Sequence, residues 1–193
     1  MGKLLLAVLV GFVGAAIAHI AIVLAVPSRA ENDAWSRLSR LGDLYSVVRI
    51  EARGDPSAES ANFVFIDPAF MDAACRFSVA DGPARIYADE GTSFWTASIY
   101  GRNGDNLYSI SERVALEGAL DIMVGTREQL DLARIEGSES EGNMIPVELP
   151  VAQGYLMVRS LVEGESDRPF VDRFVRSITC RPATPEEAGR TPN

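Results

Sequence analysis

The sequence predicts a mainly β protein: an antiparallel β-sandwich-like domain with a C-terminal helix, joined to one N-terminal transmembrane helix. Three observations predict this class. An uncharged apolar run fills residues 4–26. Beyond residue 75, apolar and polar residues alternate in short segments separated by Gly, Pro and Asn turns, as they do in strands. Before the second cysteine, apolar residues recur instead at helical spacing.

The chain of 193 residues divides into four predicted segments. They are a transmembrane helix at 4–26, a juxtamembrane amphipathic helix at 31–44, a β-rich extracytoplasmic domain at 62–181 and a disordered tail at 182–193. About 165 residues follow the apolar run, which is enough to bury one hydrophobic core. The tail is predicted to be disordered because it lacks apolar periodicity.

The N-terminal apolar run is long enough to cross a bilayer. As a helix, its 23 residues span about 34 Å, against about 30 Å of hydrocarbon. A cleaved signal peptide is the alternative, because Ser28, Arg29 and Ala30 form a small-x-small site. The run is longer than the roughly 7–15 apolar residues usual in such peptides. We therefore expect a retained single-pass anchor.

One face of this helix carries small residues and the only histidine of the chain. Ala7, Gly11, Ala15 and His19 are spaced by four, and such spacing lets two helices approach closely. One interpretation is that this face pairs with a membrane-protein partner or a second copy, which crosslinking of a His19→Leu variant would test. The alternative is a chance pattern with a neutral histidine.

The flanking charges leave the orientation of the anchor open. Lys3 favours a cytoplasmic N-terminus, whereas Arg29, Arg37 and Arg40 favour the reverse. We expect a single pass in the inner membrane with the domain in the periplasm, partly because the cytoplasmic tail would then be only three residues long.

The two cysteines agree with that orientation. Cys75 and Cys180 are naturally read as one disulfide of an exported domain. The alternative is a pair of reduced, buried thiols, which a cytoplasmic domain would favour.

The segment after the anchor begins with a short amphipathic helix. Trp35, Leu38, Leu41 and Leu44 recur at helical spacing. Trp35 is expected either near the lipid headgroups or packed on the domain. Residues 53–61 read as a loop, and Asp67-Pro68 as a helix cap with a first-turn proline.

Alternation then predicts seven strands, at residues 75–79, 85–88, 93–100, 106–112, 120–124, 145–149 and 155–162. Asn103-Gly104 predicts a hairpin turn between two of them, and Pro146 suggests a sheet edge. The pattern from Thr126 to Gln129 predicts a capping box that opens a short helix. A C-terminal helix, with its apolar face at residues 170–178, is expected to pack on the sheet. The sum is six to eight mainly antiparallel strands.

The composition excludes several functions. All 27 acidic residues and all but one of the 18 basic residues follow the apolar run, so the domain is acidic and no nucleic-acid partner is expected. Lys3 is the only lysine and His19 lies in the membrane segment. A histidine base, a lysine Schiff base and a metal site therefore lack their residues, and we expect no metal and no cofactor. Carboxylate chemistry remains open, so an enzyme is disfavoured but not excluded.

A set of residues between positions 67 and 124 matches a known pattern. They are Asp67-Pro68, Cys75-Arg76-Phe77, Asp81-Gly82-Pro83, Phe94-Trp95, Tyr100, Gly104, Asn106, Ser109, Arg113 and Leu120-Asp121. With the anchor and the second cysteine, this pattern resembles the short membrane-anchored bacterial proteins of the domain of unknown function 1254 family. The related domain of unknown function 1214 family has a similar strand pair. The resemblance implies an integral membrane protein of uncharacterised function and supplies no catalytic residues.

Three residues of this pattern, Tyr100, Ser109 and Arg113, are binding candidates, whereas Trp95 is not. Trp95 shares a face with Ala97 and Ile99, which predicts core packing. Tyr100, Ser109 and Arg113 are first fold-defining, and Arg113 at a strand end is also suited to binding an anion or an acidic group.

We expect a non-enzymatic envelope module that binds a partner protein or ligand near the membrane. The alternative is an envelope enzyme that uses carboxylate, Tyr and Arg chemistry without His, Lys or metal. A cleft of polar groups around Arg113 would favour a ligand or substrate, and an exposed aromatic patch would favour a protein partner.

Overall fold

A computed structural model describes residues 2–29, 34–50, 67–136 and 144–183. The N-terminal unit contains one helix, and its residues Gly2–Ala25 are apolar and long enough to cross a bilayer. The predicted N-terminal apolar helix is thus confirmed, with a length and composition that also occur in signal sequences. The second unit begins at Ala34 and holds all the strands.

In chain order the elements are α1 (Gly2–Arg29), α2 (Ala34–Leu41), β1 (Val47–Ile50), β2 (Phe70–Ser78), β3 (Ala84–Ala88), β4 (Trp95–Gly101), β5 (Asn106–Ser111), a 3-10 turn (Leu116–Gly118), β6 (Asp121–Gly125), α3 (Arg127–Glu136), β7 (Ile145–Glu148), β8 (Gln153–Leu161), α4 (Arg168–Ser177) and β9 (Ile178–Pro182). The strands form a five-stranded sheet in the order β1-β2-β8-β4-β5 and a four-stranded sheet in the order β7-β6-β3-β9. All pairings are antiparallel except that of β6 with β7.

Both sheets contribute alternate residues to one apolar layer. In β4, Trp95, Ala97 and Ile99 are buried while the residues between them are not. They belong to one buried cluster with residues of the other sheet, such as Ile86 and Ile122. Period-two burial of this kind is what a two-sheet sandwich requires. The predicted mainly β class, with an N-terminal and a C-terminal helix, is therefore confirmed.

A disulfide joins the two sheets. Cys75 in β2 is bonded to Cys180 in β9, 105 residues further along the chain. For a closed loop of this length, the chain-entropy estimate of the stabilisation is about 4–5 kcal/mol. The bond predicted from the two cysteines is thus present in the structure.

Three local predictions match the structure. The Thr126 N–H donates to Gln129 Oε1 at 2.9 Å, and the Gln129 N–H donates to Thr126 Oγ1 at 3.3 Å, which is a capping box at the start of α3. Gly104 has φ +89° in the hairpin between β4 and β5. Pro146 lies in β7, an edge strand of its sheet.

Other local predictions were wrong. Asp67 caps no helix: its Oδ1 accepts the Ala69 N–H at 3.0 Å in a turn that leads into β2. The strand predicted from residue 75 already begins at Phe70. The sequence did not indicate this earlier start because Ala73 and Ala74, on opposite faces of the strand, are both buried and apolar, so apolar and polar residues do not alternate there.

Two strands were missed at the ends of the domain. β1 precedes the predicted domain start at residue 62, and β9 extends to Pro182, where the disordered tail was predicted to begin. Both strands are short and flanked by polar residues, so they show no clear alternation of apolar and polar residues in the sequence. The loop at 53–61 and the tail from residue 184 lie outside the described residues.

α2 falls within the range predicted for the amphipathic helix. Trp35 and Leu38 are buried in a cluster with Ile50, Ala74 and Tyr155. Trp35 therefore packs on the domain, which is the second of the two environments predicted for it.

Gly154 in β8 leaves no room for a side chain. A Cβ at this position would lie 2.6 Å from the carbonyl oxygen of Tyr100 and 3.2 Å from the Phe77 ring. We predict that Gly154→Ala lowers the free energy of unfolding by about 1–3 kcal/mol, because backbone must shift to admit the methyl group. Urea unfolding of the full-length chain in detergent measures the change. Gly91→Ala is the control, since nothing lies within 4 Å of its Cβ position. Equal effects of the two variants would contradict the prediction.

Candidate functional site

The five-stranded sheet turns alternate side chains away from the apolar layer. Those outward-facing residues, which we call the outer face, form three rows across the strands. The rows are Asp72, Arg159, Thr96 and Ser111; then Ala74, Met157, Ser98 and Ser109; then Arg76, Tyr155, Tyr100 and Asn106. Two of the three predicted binding residues, Tyr100 and Ser109, therefore lie on one surface.

One side of the outer face is covered by α2. Trp35 packs there, with the guanidinium of Arg76 at 5.1 Å and that of Arg102 at 5.6 Å from its ring centroid. Arg76 Nη2 also donates to the Gly42 carbonyl at 2.6 Å, and burial lowers the pKa of this arginine. Tyr155 is buried beneath this helix.

Tyr100 lies where this cover ends. Its ring stacks on that of Tyr155, with centroids 5.1 Å apart and planes inclined by 14°. Tyr155 is buried, whereas Tyr100, near the end of β4, is half-buried. The stacked pair therefore lies between the part of the outer face under α2 and the open part.

Three polar side chains hold one another on the open part. The hydroxyl groups of Ser98 and Ser109 are 2.9 Å apart. Asn106 Nδ2 donates to Ser109 Oγ at 3.0 Å, and Ser109 Oγ lies 3.3 Å from Asn106 Oδ1. Ser109 and Asn106 are exposed, so their remaining donors and acceptors face solvent. We call Ser98, Ser109 and Asn106 the hydroxyl–amide cluster.

The first row contains a buried carboxylate that the sequence did not single out. Asp72 Oδ1 lies 3.3 Å from Arg159 Nε, and the guanidinium of Arg159 lies 4.3 Å from the ring centroid of Phe70. Burial raises the pKa of Asp72 above its ordinary value, although Arg159 acts in the opposite direction. A signal was present, since Asp72 interrupts an otherwise apolar start of β2.

Arg113 lies apart from the other predicted binding residues. It follows β5, at the end of the hairpin opposite Tyr100, and its side chain is 85% exposed. Its Nε is 3.5 Å from Glu112 Oε1. Glu112 Oε2 is buried and has no hydrogen-bond partner within the described chain. Arg113 thus contacts a neighbouring carboxylate, and binding of a ligand at Arg113 stays a prediction.

The residues predicted for helix pairing all lie on α1. Gly11, Ala15 and His19 follow one another at four-residue spacing and are exposed on that helix. Pairing would be with a second helix, and it stays a prediction. In the described ranges, no group of three His, Cys, Asp or Glu residues is placed to hold a metal ion.

The fold is shared with a solved structure of a longer protein. The VPA0106 protein from Vibrio parahaemolyticus has a TM-score of 0.56 and 11% identity, over 82% of this chain and 35% of that one. An uncharacterized protein from Burkholderia cenocepacia has a TM-score of 0.45 and 14% identity, over 86% of this chain and 47% of that one. This chain thus spans about a third of the Vibrio protein. No protein-family model and no curated protein matches the sequence.

The raised pKa of Asp72 predicts a pH dependence of stability. Folding favours the protonated carboxyl, so its contribution is complete below the unfolded value near 3.8 and is lost as the pH rises through the folded pKa. Because Asn cannot ionise, the Asp72→Asn variant does not lose stability as the pH rises through this range. We predict that its melting temperature rises relative to that of the natural chain between pH 4 and pH 7.

Thermal unfolding of the full-length chain across that pH range measures the difference. Arg159→Gln is the informative comparison, because loss of the cation removes the attraction that lowers the pKa of Asp72. Its stability should therefore fall more steeply with rising pH. Parallel profiles for the natural chain and Asp72→Asn would refute the assignment.

Proposed function

We propose that this chain is a single-pass inner-membrane protein whose β-domain lies in the periplasm and binds a partner protein near the bilayer without catalysing a reaction. α1 would be the anchor, and residues 30–33 connect it to α2. The Cys75–Cys180 bond supports an oxidising compartment, because disulfides persist mainly outside the reducing cytosol.

The hydroxyl–amide cluster carries the proposal of a protein partner. Ser98, Ser109 and Asn106 present polar groups from two open strands, beside the half-buried ring of Tyr100. Small-molecule sites are typically concave and mainly apolar, whereas protein interfaces combine polar groups with tyrosine. A strand surface of this chemistry suits a protein partner better than a small ligand.

An enzyme is the second candidate, and Asp72 is the observation that favours it. A buried carboxyl with a raised pKa is suited to general acid catalysis, and Arg159 and Thr96 lie in the same row. Turnover in a screen of ester, phosphoester and glycoside substrates, lost in Asp72→Asn, would favour this function.

We also infer kinship with the domain of unknown function 1254 family. The residues that support it occupy one hairpin: Trp95 and Tyr100 in β4, Gly104 in the turn, and Asn106 and Ser109 in β5. Close homologues in which Trp95, Gly104 and Ser109 vary freely would remove this support.

The proposed topology predicts the outcome of protease treatment. In intact spheroplasts, an added protease should digest the domain and leave α1 protected by the bilayer. A cytosolic marker protein that stays intact is the control for lysis. Full protection of the domain in intact spheroplasts, with digestion only after permeabilisation, would place it in the cytoplasm.

The proposed binding surface predicts where a partner crosslinks. A photoreactive phenylalanine analogue placed at Ser98 in the full-length chain should form a light-dependent adduct with another protein in native membranes. The same analogue at Glu128, an exposed residue of α3, is the matched control and should form none. Absence of an adduct at Ser98, or equal adducts at both positions, would contradict binding through the outer face.

A further inference from the structure

The side of α2 that faces away from the sheet is basic, although the domain as a whole is acidic. The helix packs on the sheet through Trp35 and Leu38, which are both buried. At about 3.6 residues per turn, Arg37 and Arg40 lie on the opposite side of the helix from that pair. The sequence of α2, AWSRLSRL, contains no acidic residue. The helix is therefore amphipathic, with an apolar side toward the sheet and a basic side away from it.

The printed contact of Arg40 orients its guanidinium without neutralising it. Arg40 Nε donates to the Ser36 carbonyl at 3.3 Å, and a carbonyl carries no net charge. Asp43, the acidic residue that follows α2 in the chain, lies near Arg76. Burial lowers the pKa of Arg76, and the charge of Asp43 acts in the opposite direction. This carboxylate therefore acts on an arginine of the sheet, under the helix.

A short tether joins α2 to α1. Only residues 30–33 separate the two helices. Fully extended, the chain from Arg29 to Ala34 spans at most about 18 Å, and both arginines of α2 lie within the next two turns. If α1 spans a bilayer, α2 is thus held close to the surface at which α1 emerges. The tether removes most of the entropic cost of reaching that surface, so a modest attraction is enough to populate a contact.

We propose that the basic side of α2 binds the phosphate groups of anionic phospholipids at this surface. The proposal rests on the anchor of the proposed function, but not on which side of the membrane the domain lies. Guanidinium groups suit such a ligand, because their planar fork donates two parallel hydrogen bonds to phosphate oxygens. Each arginine near an anionic surface strengthens binding about fivefold.

Headgroup binding also accounts for charges that oppose the proposed orientation. Arg29, Arg37 and Arg40 follow the apolar run, although the positive-inside rule favours such residues on the cytoplasmic side. Anionic headgroups of the periplasmic leaflet would give these residues a favourable interaction on the other side. Because the domain as a whole is acidic, the same headgroups repel much of its remaining surface.

Fluorescence quenching in reconstituted vesicles tests the contact. The two natural cysteines are bonded to each other, so a fluorophore can be attached selectively to Ser39→Cys, an exposed position of α2. The full-length labelled chain is placed in phosphatidylcholine vesicles, with or without phosphatidylglycerol, that contain a trace of lipid with a quencher on its headgroup. Quenching should rise when phosphatidylglycerol is present. It should fall again with added salt, because salt screens the attraction.

Three double variants separate charge from folding. Arg37→Gln with Arg40→Gln should weaken the contact about thirtyfold and return quenching to the phosphatidylcholine level. Arg37→Lys with Arg40→Lys keeps both charges and should retain most of the response. The matched control is Arg127→Gln with Arg134→Gln, which removes the same charge from exposed positions of α3 and should leave quenching unchanged.

Equal quenching with and without phosphatidylglycerol would overturn the proposal, as would equal responses of the Gln and Lys variants or loss of the response in the α3 control. Stronger displacement by inorganic phosphate than by chloride of equal ionic strength would assign the site to free phosphate instead of headgroups. The vesicles contain no other protein, so an acidic protein partner of α2 would produce no response.

Flotation of the same vesicles reports on the anchor separately. A chain that floats with neutral vesicles but does not respond to phosphatidylglycerol keeps its anchor and refutes only the headgroup contact. A chain that fails to float with neutral vesicles refutes the anchor, and the headgroup contact with it.

Discussion

The apolar layer between the two sheets is the constraint on which the other features depend. Each strand that borders it must turn every second side chain inward, as β4 does with Trp95, Ala97 and Ile99. The residues between them are then free to be polar, which is why a mostly apolar strand can carry Thr96 and Ser98 on its other side. The alternation that builds the core therefore also produces the outer face, and the strand register sets the distances between its side chains.

α2 determines which part of the outer face is exposed to solvent. α2 rests on the side formed by β1, β2 and β8, where Trp35 packs beside Tyr155. Ser98, Ser109 and Asn106 lie outside the buried cluster that contains Trp35 and Tyr155, and Ser109 and Asn106 are exposed while Tyr155 is buried. One short helix therefore covers one part of the outer face and leaves the other part accessible to solvent. Residues under α2 are not accessible to a partner, so binding residues are expected on the open part.

The sequence predicted elements whose signal is local. The Asn103-Gly104 hairpin, the capping box at Thr126 and the helix α4 each follow from a few neighbouring residues. The rows of the outer face were out of reach, because they depend on β8 lying between β2 and β4. Asp72 and Arg159 meet across 87 residues of chain, and no spacing in the sequence reveals that contact. Tyr100 and Ser109 share the outer face because they belong to one hairpin, which the sequence did predict.

The last described strand also has a consequence for biosynthesis. Cys180 lies in β9, which pairs with β3 and carries the sulfur that bonds to Cys75. The four-stranded sheet and the bond between the sheets both require β9, so a nascent chain that stops before β9 completes neither. Such a product contains α1 but exposes the edge of β3 and an unpaired thiol at Cys75. The covalent closure therefore distinguishes chains that have been synthesised through β9 from products that stop before it.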